Sequence, residues 1–138
     1  MYLRLYFAYL IAVVLMGCNS SGVYPVSGKV TFTDGPMPQA EVATIRFEPV
    51  PGTTKANQSK PASGRIAADG SYKLTTLEPD DGAFVGEYKV TFTIRKEYMG
   101  QGTLVDPKFT SATTTPHSTK VKAGTNKFDF EVTRAPGS

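Results

Sequence analysis

The sequence contains one cysteine, one histidine and no tryptophan, and it has no long apolar run beyond its first sixteen residues. With Cys18 alone, no disulfide can form within the chain. A single histidine, His117, excludes a histidine metal centre; a Ser-His-Asp triad is imaginable, but no G-x-S-x-G elbow or other nucleophile motif is present. His117 is therefore expected to be an ordinary exposed residue in a Thr/Pro-rich connection. Charge of one sign is lacking as well. The formal charge is +3, or about +2 without Arg4, and the cations are interspersed with acids, so nothing favours nucleic acid as a partner. No helical periodicity longer than two turns occurs after the N-terminal segment. No cofactor, metal or catalytic residue is expected.

What is present begins with MYLRLYFAYLIAVVLMG, residues 1–17. One cation, Arg4, precedes an apolar run from Leu5 to Met16. That run is about 12 residues, whereas a membrane-spanning helix needs about 20, so it suits the core of a signal peptide. Leu15-Met16-Gly17-Cys18 follows and resembles the lipobox of bacterial lipoproteins. The small Gly17 marks the cleavage position, and Cys18 is the residue that would carry the lipid. Met16 is bulkier than the residue usual there. Residues 18–25 then read as lipidated cysteine and tether, with Asn19-Ser20-Ser21-Gly22 as flexible spacer. Acyl chains on Cys18 would hold the protein to a membrane, since a single chain binds only marginally. In enterobacterial lipoproteins an Asp after the cysteine signals retention in the inner membrane. Asn19 in that place points to the outer membrane of the cell envelope.

From Val26 onward apolar residues alternate with polar ones, the signature of half-buried strands. Val26, Val30 and Phe32 share one face of the first strand. Ala43, Ile45 and Phe47 do so in a second strand over about 42–48, which Pro49 and Pro51 end. A weaker strand over about 62–68 leads through Asp69-Gly70 into SYKLTT, an Asp-Gly hairpin signal with Tyr72 and Leu74 inward. The clearest strand spans 87–95, where Tyr88, Val90, Phe92 and Ile94 point inward and Glu87, Lys89, Thr91, Thr93 and Arg95 outward. Strands over about 118–122 and 127–132 close the chain, with Phe128, Phe130 and Val132 inward. The expected fold is all-β, a seven-stranded antiparallel β-sandwich over residues 26–133, with 134–138 as a C-terminal tail.

VSGKVTFTDGPMPQAEVATIRFEP, ADGSYKLTT, GEYKVTFTI and KVKAGTNKFDFEV together resemble the carboxypeptidase regulatory-like domains, which are transthyretin-like or immunoglobulin-like sandwiches. The likeness is nearest to the small lipoproteins of the planctomycete type. It implies fold and location, and a docking or spacer role. The transthyretin-like fold also hosts a hydrolase of purine breakdown, whose site needs several histidines that this chain lacks.

Three groups of residues remain as candidates. Tyr98, Met99, Phe109 and Phe84 lie in predicted loops and would form an aromatic binding platform. The connection 96–117 that holds three of them is unusually long and also carries Leu104 and Val105. Glu78, Asp80 and Asp81 offer oxygens in one loop but lack the regular alternation of calcium motifs. The functional expectation is a non-catalytic, envelope-anchored lipoprotein whose β-sandwich is a structural or protein-interaction module. Its partners would be the membrane, through the lipid, and envelope proteins or glycans. A carbohydrate- or peptide-binding module using the loop aromatics is the alternative. The anchor makes a direct prediction: Cys18→Ser abolishes incorporation of a labelled fatty-acid analogue, and equal labelling of both proteins would refute lipidation.

Overall fold

Period-two patterning builds most of this chain into strands. The computed structural model describes residues 21–138, so Gly17 and Cys18 lie outside the described residues. Ten strands follow in chain order: β1 Val23–Tyr24, β2 Val26–Phe32, β3 Val42–Pro49, β4 Ala62–Arg65, β5 Ser71–Lys73, β6 Ala83–Phe84, β7 Gly86–Arg95, β8 Ser118–Val121, β9 Asn126–Lys127 and β10 Phe130–Val132. A 3₁₀ turn at Pro107–Thr110 is the only helical element among the described residues. None of the helices there is long and apolar enough to cross a membrane.

One sheet runs β10–β2–β5, with β9 also on β2; a second runs β4–β3–β7–β8; and β1 pairs with β6 in a short ladder. The apolar faces meet between the sheets. Val26, Val30, Phe32, Tyr72, Leu74, Phe130 and Val132 come from the first sheet and its margins. Ile45, Phe47, Tyr88, Val90, Phe92, Ile94 and Val121 come from the second. Each such side chain, fully buried, contributes roughly 1.5–3 kcal/mol. Aromatic contacts bridge the layers, with Phe130 at 6.0 Å from both Phe47 and Phe92 between ring centres.

The sheets depart from the antiparallel expectation at one place. β9 and β10 run parallel to β2, pairing Val26 with Asn126 and Val30 with Phe130. A parallel partner needs a long crossover, and residues 33–125, about two-thirds of the chain, lie between β2 and β9. The expected final strand 127–132 is interrupted at Phe128–Asp129. There the Asp129 carboxylate, instead of a main-chain carbonyl, accepts the Lys29 N–H at 2.9 Å. The Phe128 carbonyl folds over Gly28, where any Cβ would overlap it, and receives the Tyr72 hydroxyl at 2.6 Å. A glycine is needed at position 28 for that approach.

The Asp69-Gly70 turn forms, but its arms serve different sheets. Ala67 N–H donates to the Ser71 carbonyl at 2.9 Å, and Ser63 and Thr75 exchange main-chain bonds farther down. Between these points the arms diverge, β4 joining β3 and β5 joining β2. The strands are shorter than expected, ending at Arg65 and Lys73. Gly64 permits the crossing, because a Cβ there would strike the Lys73 carbonyl.

Strand β7 follows its pattern with one exception. Thr91, expected to face water, is only 8 % exposed. It lies in the middle of the sheet, opposite Arg46 of β3, where neighbours crowd even the outer face. Thr93, two residues on, is exposed. Phe92→Ala is therefore expected to cost about 3–5 kcal/mol through the cavity it leaves. Thr93→Ala should cost less than about 1 kcal/mol. Urea unfolding of both variants checks the register, and equal losses would contradict it.

Candidate functional site

The four residues proposed as a platform are divided by the fold. Phe84, in β6, pairs with Val23 and is 4 % exposed; Phe109, in the 3₁₀ turn, is also 4 % exposed. Both are packing residues, and the expectation that they bind a ligand is corrected. Asp106 caps the 3₁₀ turn by accepting the Lys108 N–H at 3.0 Å, and the turn drops Phe109 against Phe92, 6.3 Å between ring centres. Val105 is fully buried and Leu104 packs on the core, so most of the apolar content of the long connection is spent inside.

Tyr98 and Met99 behave differently, at 71 % and 86 % exposed. They sit on a turn just beyond β7, and the turn is fixed in place. Glu41 N–H donates to the Lys96 carbonyl at 3.2 Å, the Glu41 carboxylate accepts the Tyr98 N–H at 2.9 Å, and Gly100 N–H reaches the Glu97 carbonyl at 3.1 Å. Two large apolar side chains are thus presented to solvent by an anchored backbone. The described chain enters at the other end of the same strand, where Val23 pairs with Phe84 two residues before β7 begins, so residues 23–24 of the expected 18–25 tether are strand and not free spacer. Ten residues of β7, at about 3.3 Å each, separate the ends by roughly 30 Å.

The acidic loop is a turn that caps itself. Asp81 accepts main-chain N–H bonds from Thr76, Leu77 and Glu78 at 2.8, 3.0 and 2.8 Å. Asp80, at φ +57°, is held by a bond from its N–H to the Thr75 hydroxyl. The Asp81 oxygens are occupied in the way Asx turns use them. Among the described residues no group of three or more potential metal-ligating side chains occurs. His117 also differs from its expected exposed state. It is half-buried, stacked on Phe109 at 5.5 Å with 18° between planes, and its Nε2 lies 2.7 Å from the Glu131 carbonyl. It wedges the connection against the sandwich. Two residues earlier, Thr115 donates its hydroxyl to the Val90 carbonyl at 2.6 Å.

One surface was illegible in the sequence. Register places Lys73 and Lys127 on either side of Ser27, and sets Lys29 opposite Ser71, all on the outer face of the first sheet. Arg65 reaches the same place from β4. With Ser27, Gly28 and Ser71 as a floor of small residues, they line an open basin of about 580 Å³. Asp80 and Asp129 stand on its walls. The sole ion pair among the described residues joins Arg46 to Glu48, so the four cations of the basin have no ion-pair partner there. Beside the basin, Asp69 is held below the usual carboxylate range, chiefly by the Ser71 hydroxyl at 2.6 Å and then by the Ser71 N–H.

No known family, curated protein or solved structure matches this chain. Its class is thus defined by the fold itself: an all-β protein with two packed sheets, one apolar tip and one cationic basin.

Two buried phenols give a pH dependence. Burial pushes the Tyr88 hydroxyl up to about 12 from its usual 10, and it donates to the Phe84 carbonyl at 2.7 Å. Tyr72 is raised also, by burial first and the Asp129 carboxylate second. Above pH 10 the unfolded phenols ionise while the folded ones stay protonated, so the unfolded chain binds fewer protons and stability falls as pH rises from about 10 to about 12. Urea midpoints across this range should drop, and Tyr72→Phe should flatten the drop; an unchanged slope in the variant would contradict it.

Proposed function

We propose that this protein is a non-catalytic interaction module, held on the cell envelope by a lipid on Cys18 and built to present its far end to a protein partner. The observation that carries this reading is the Tyr98–Met99 turn. Two large apolar side chains stand exposed on a backbone pinned through Glu41, roughly 30 Å along β7 from the point where the tether enters. Exposed aromatic and methionine side chains are costly in water and are enriched where partners dock. A fixed backbone also lowers the ordering cost of binding.

The resemblance to carboxypeptidase regulatory-like domains is in keeping with this role, since members attached to larger proteins serve as docking or spacer modules. The alternative, a glycan- or peptide-binding module using loop aromatics, is narrowed by the burial of Phe84 and Phe109, which leaves Tyr98 as its one exposed aromatic.

Replacing Tyr98 and Met99 together by serine tests the reading. Both side chains are exposed, so the melting temperature should stay within about 2 °C of the parent, as expected for a surface change of under about 0.5 kcal/mol. Partners crosslinked to the tip in intact cells should be lost. A folded double variant that retains every partner would overturn the proposal.

A further inference from the structure

We propose that the cationic basin on the outer face of the first sheet is a second membrane contact, which receives anionic phosphate-bearing lipid headgroups of the bilayer that holds the anchor. The inference rests on lipidation of Cys18 and adds to it an orientation of the domain.

Four strands contribute: Lys29 from β2, Arg65 from β4, Lys73 from β5 and Lys127 from β9. Neighbouring strands are about 4.8 Å apart, so the backbones of Lys73 and Lys127 flank Ser27 at a separation of roughly 10 Å. Ser27, Gly28 and Ser71 add no bulk between them, which leaves a concavity of about 580 Å³, larger than a phosphate group requires. Asp80 and Asp129 on its walls and Asp69 beside Lys29 reduce the positive charge without cancelling it, since four cations face three carboxylates. The cations themselves form no ion pair among the described residues, so an outside anion meets them without having to break one.

Position selects the lipid over a soluble polyanion. Ser27 stands nine residues after Cys18, and nine residues span at most about 30 Å even when fully extended. The basin therefore cannot leave the neighbourhood of the membrane to which Cys18 is attached. Within that reach the basin can come to the bilayer surface, and once inside a Debye length of about 8–10 Å each cation adds to the attraction of anionic headgroups. The Tyr98–Met99 turn, at the far end of β7, remains free for a partner.

The test uses the full lipidated chain in vesicles of phosphatidylcholine, alone or with about one part in three of phosphatidylglycerol. Lysine acetylation by acetic anhydride is followed residue by residue by mass spectrometry. Lys29, Lys73 and Lys127 should react on the order of fivefold more slowly in the anionic vesicles. Lys108, in the 3₁₀ turn, should react equally in both, and high salt should erase the difference. The exposed pair Lys73→Gln and Lys127→Gln should remove the protection of Lys29 while leaving the melting temperature unchanged. If the chain floats with both vesicles but all lysines react alike, the basin proposal falls and the anchor stands. If it floats with neither, the anchor reading falls and takes this proposal with it. If a soluble acidic polysaccharide protects the three lysines better than the anionic vesicles do, the basin is a glycan site and the lipid assignment is wrong.

Discussion

The ring of Phe130 is the contact on which the rest of the structure depends. It meets Phe47 and Phe92 across the interface between the sheets, Tyr72 within its own sheet and His117 at the edge. Four ring centres lie 5.2–6.4 Å from that of Phe130 and bury a large apolar area with it, and the edge-on contacts to Phe47 and Phe92 constrain the distance and rotation of the two layers. Because Phe130 must reach this position, the last strand lies in register with β2, with Phe130 beside Val30. The same register carries Lys127 to Ser27 and so builds the cationic basin. Core packing and surface chemistry are here consequences of one alignment.

A second constraint is the length of β7. This strand has ten residues, and β8 pairs with only its first four, Gly86–Lys89. An uncovered edge would invite pairing with another chain. The long connection covers it. His117 and Leu104 main-chain groups bond to Val90 and Ile94, the Thr115 hydroxyl caps the Val90 carbonyl, and Phe109 seals the gap from the side. The connection is long because it replaces the missing half of a strand. Its apolar residues face the sandwich for that reason, and only the turn at Tyr98–Met99 escapes.

Where the ladders stop, side chains take over the main-chain bonds. Asp81 closes the 76–81 turn with three N–H bonds. The buried amide of Asn126, the first residue of β9, accepts from Lys122 N–H and donates to the carbonyls of Lys122 and Gly124. Asp129 substitutes for a carbonyl next to Lys29. Buried polar groups left unpaired cost about 1–3 kcal/mol each, so these short polar residues permit tight turns at the ends of a small sandwich. Their presence in a loop is therefore no sign of a metal or a catalytic site.

The sequence by itself determined the all-β class, the inward residues of β2, β3 and β7 and the Asp-Gly turn, because alternation and turn chemistry are local properties of the chain. It also exposed the long connection as unusual. Three matters were decided only by the tertiary structure. The parallel pairing of β9 and β10 with β2 depends on residues about a hundred positions apart, a relation that no local pattern encodes. The burial of Phe84, Phe109 and Thr91 depends on what packs over them, and the same apolar residue in a loop serves equally well as a plug or as a contact. The basin brings together Lys29, Arg65, Lys73 and Lys127, each of them among acids in the sequence, because strand register sums charge across neighbouring strands while the sequence records it only along one.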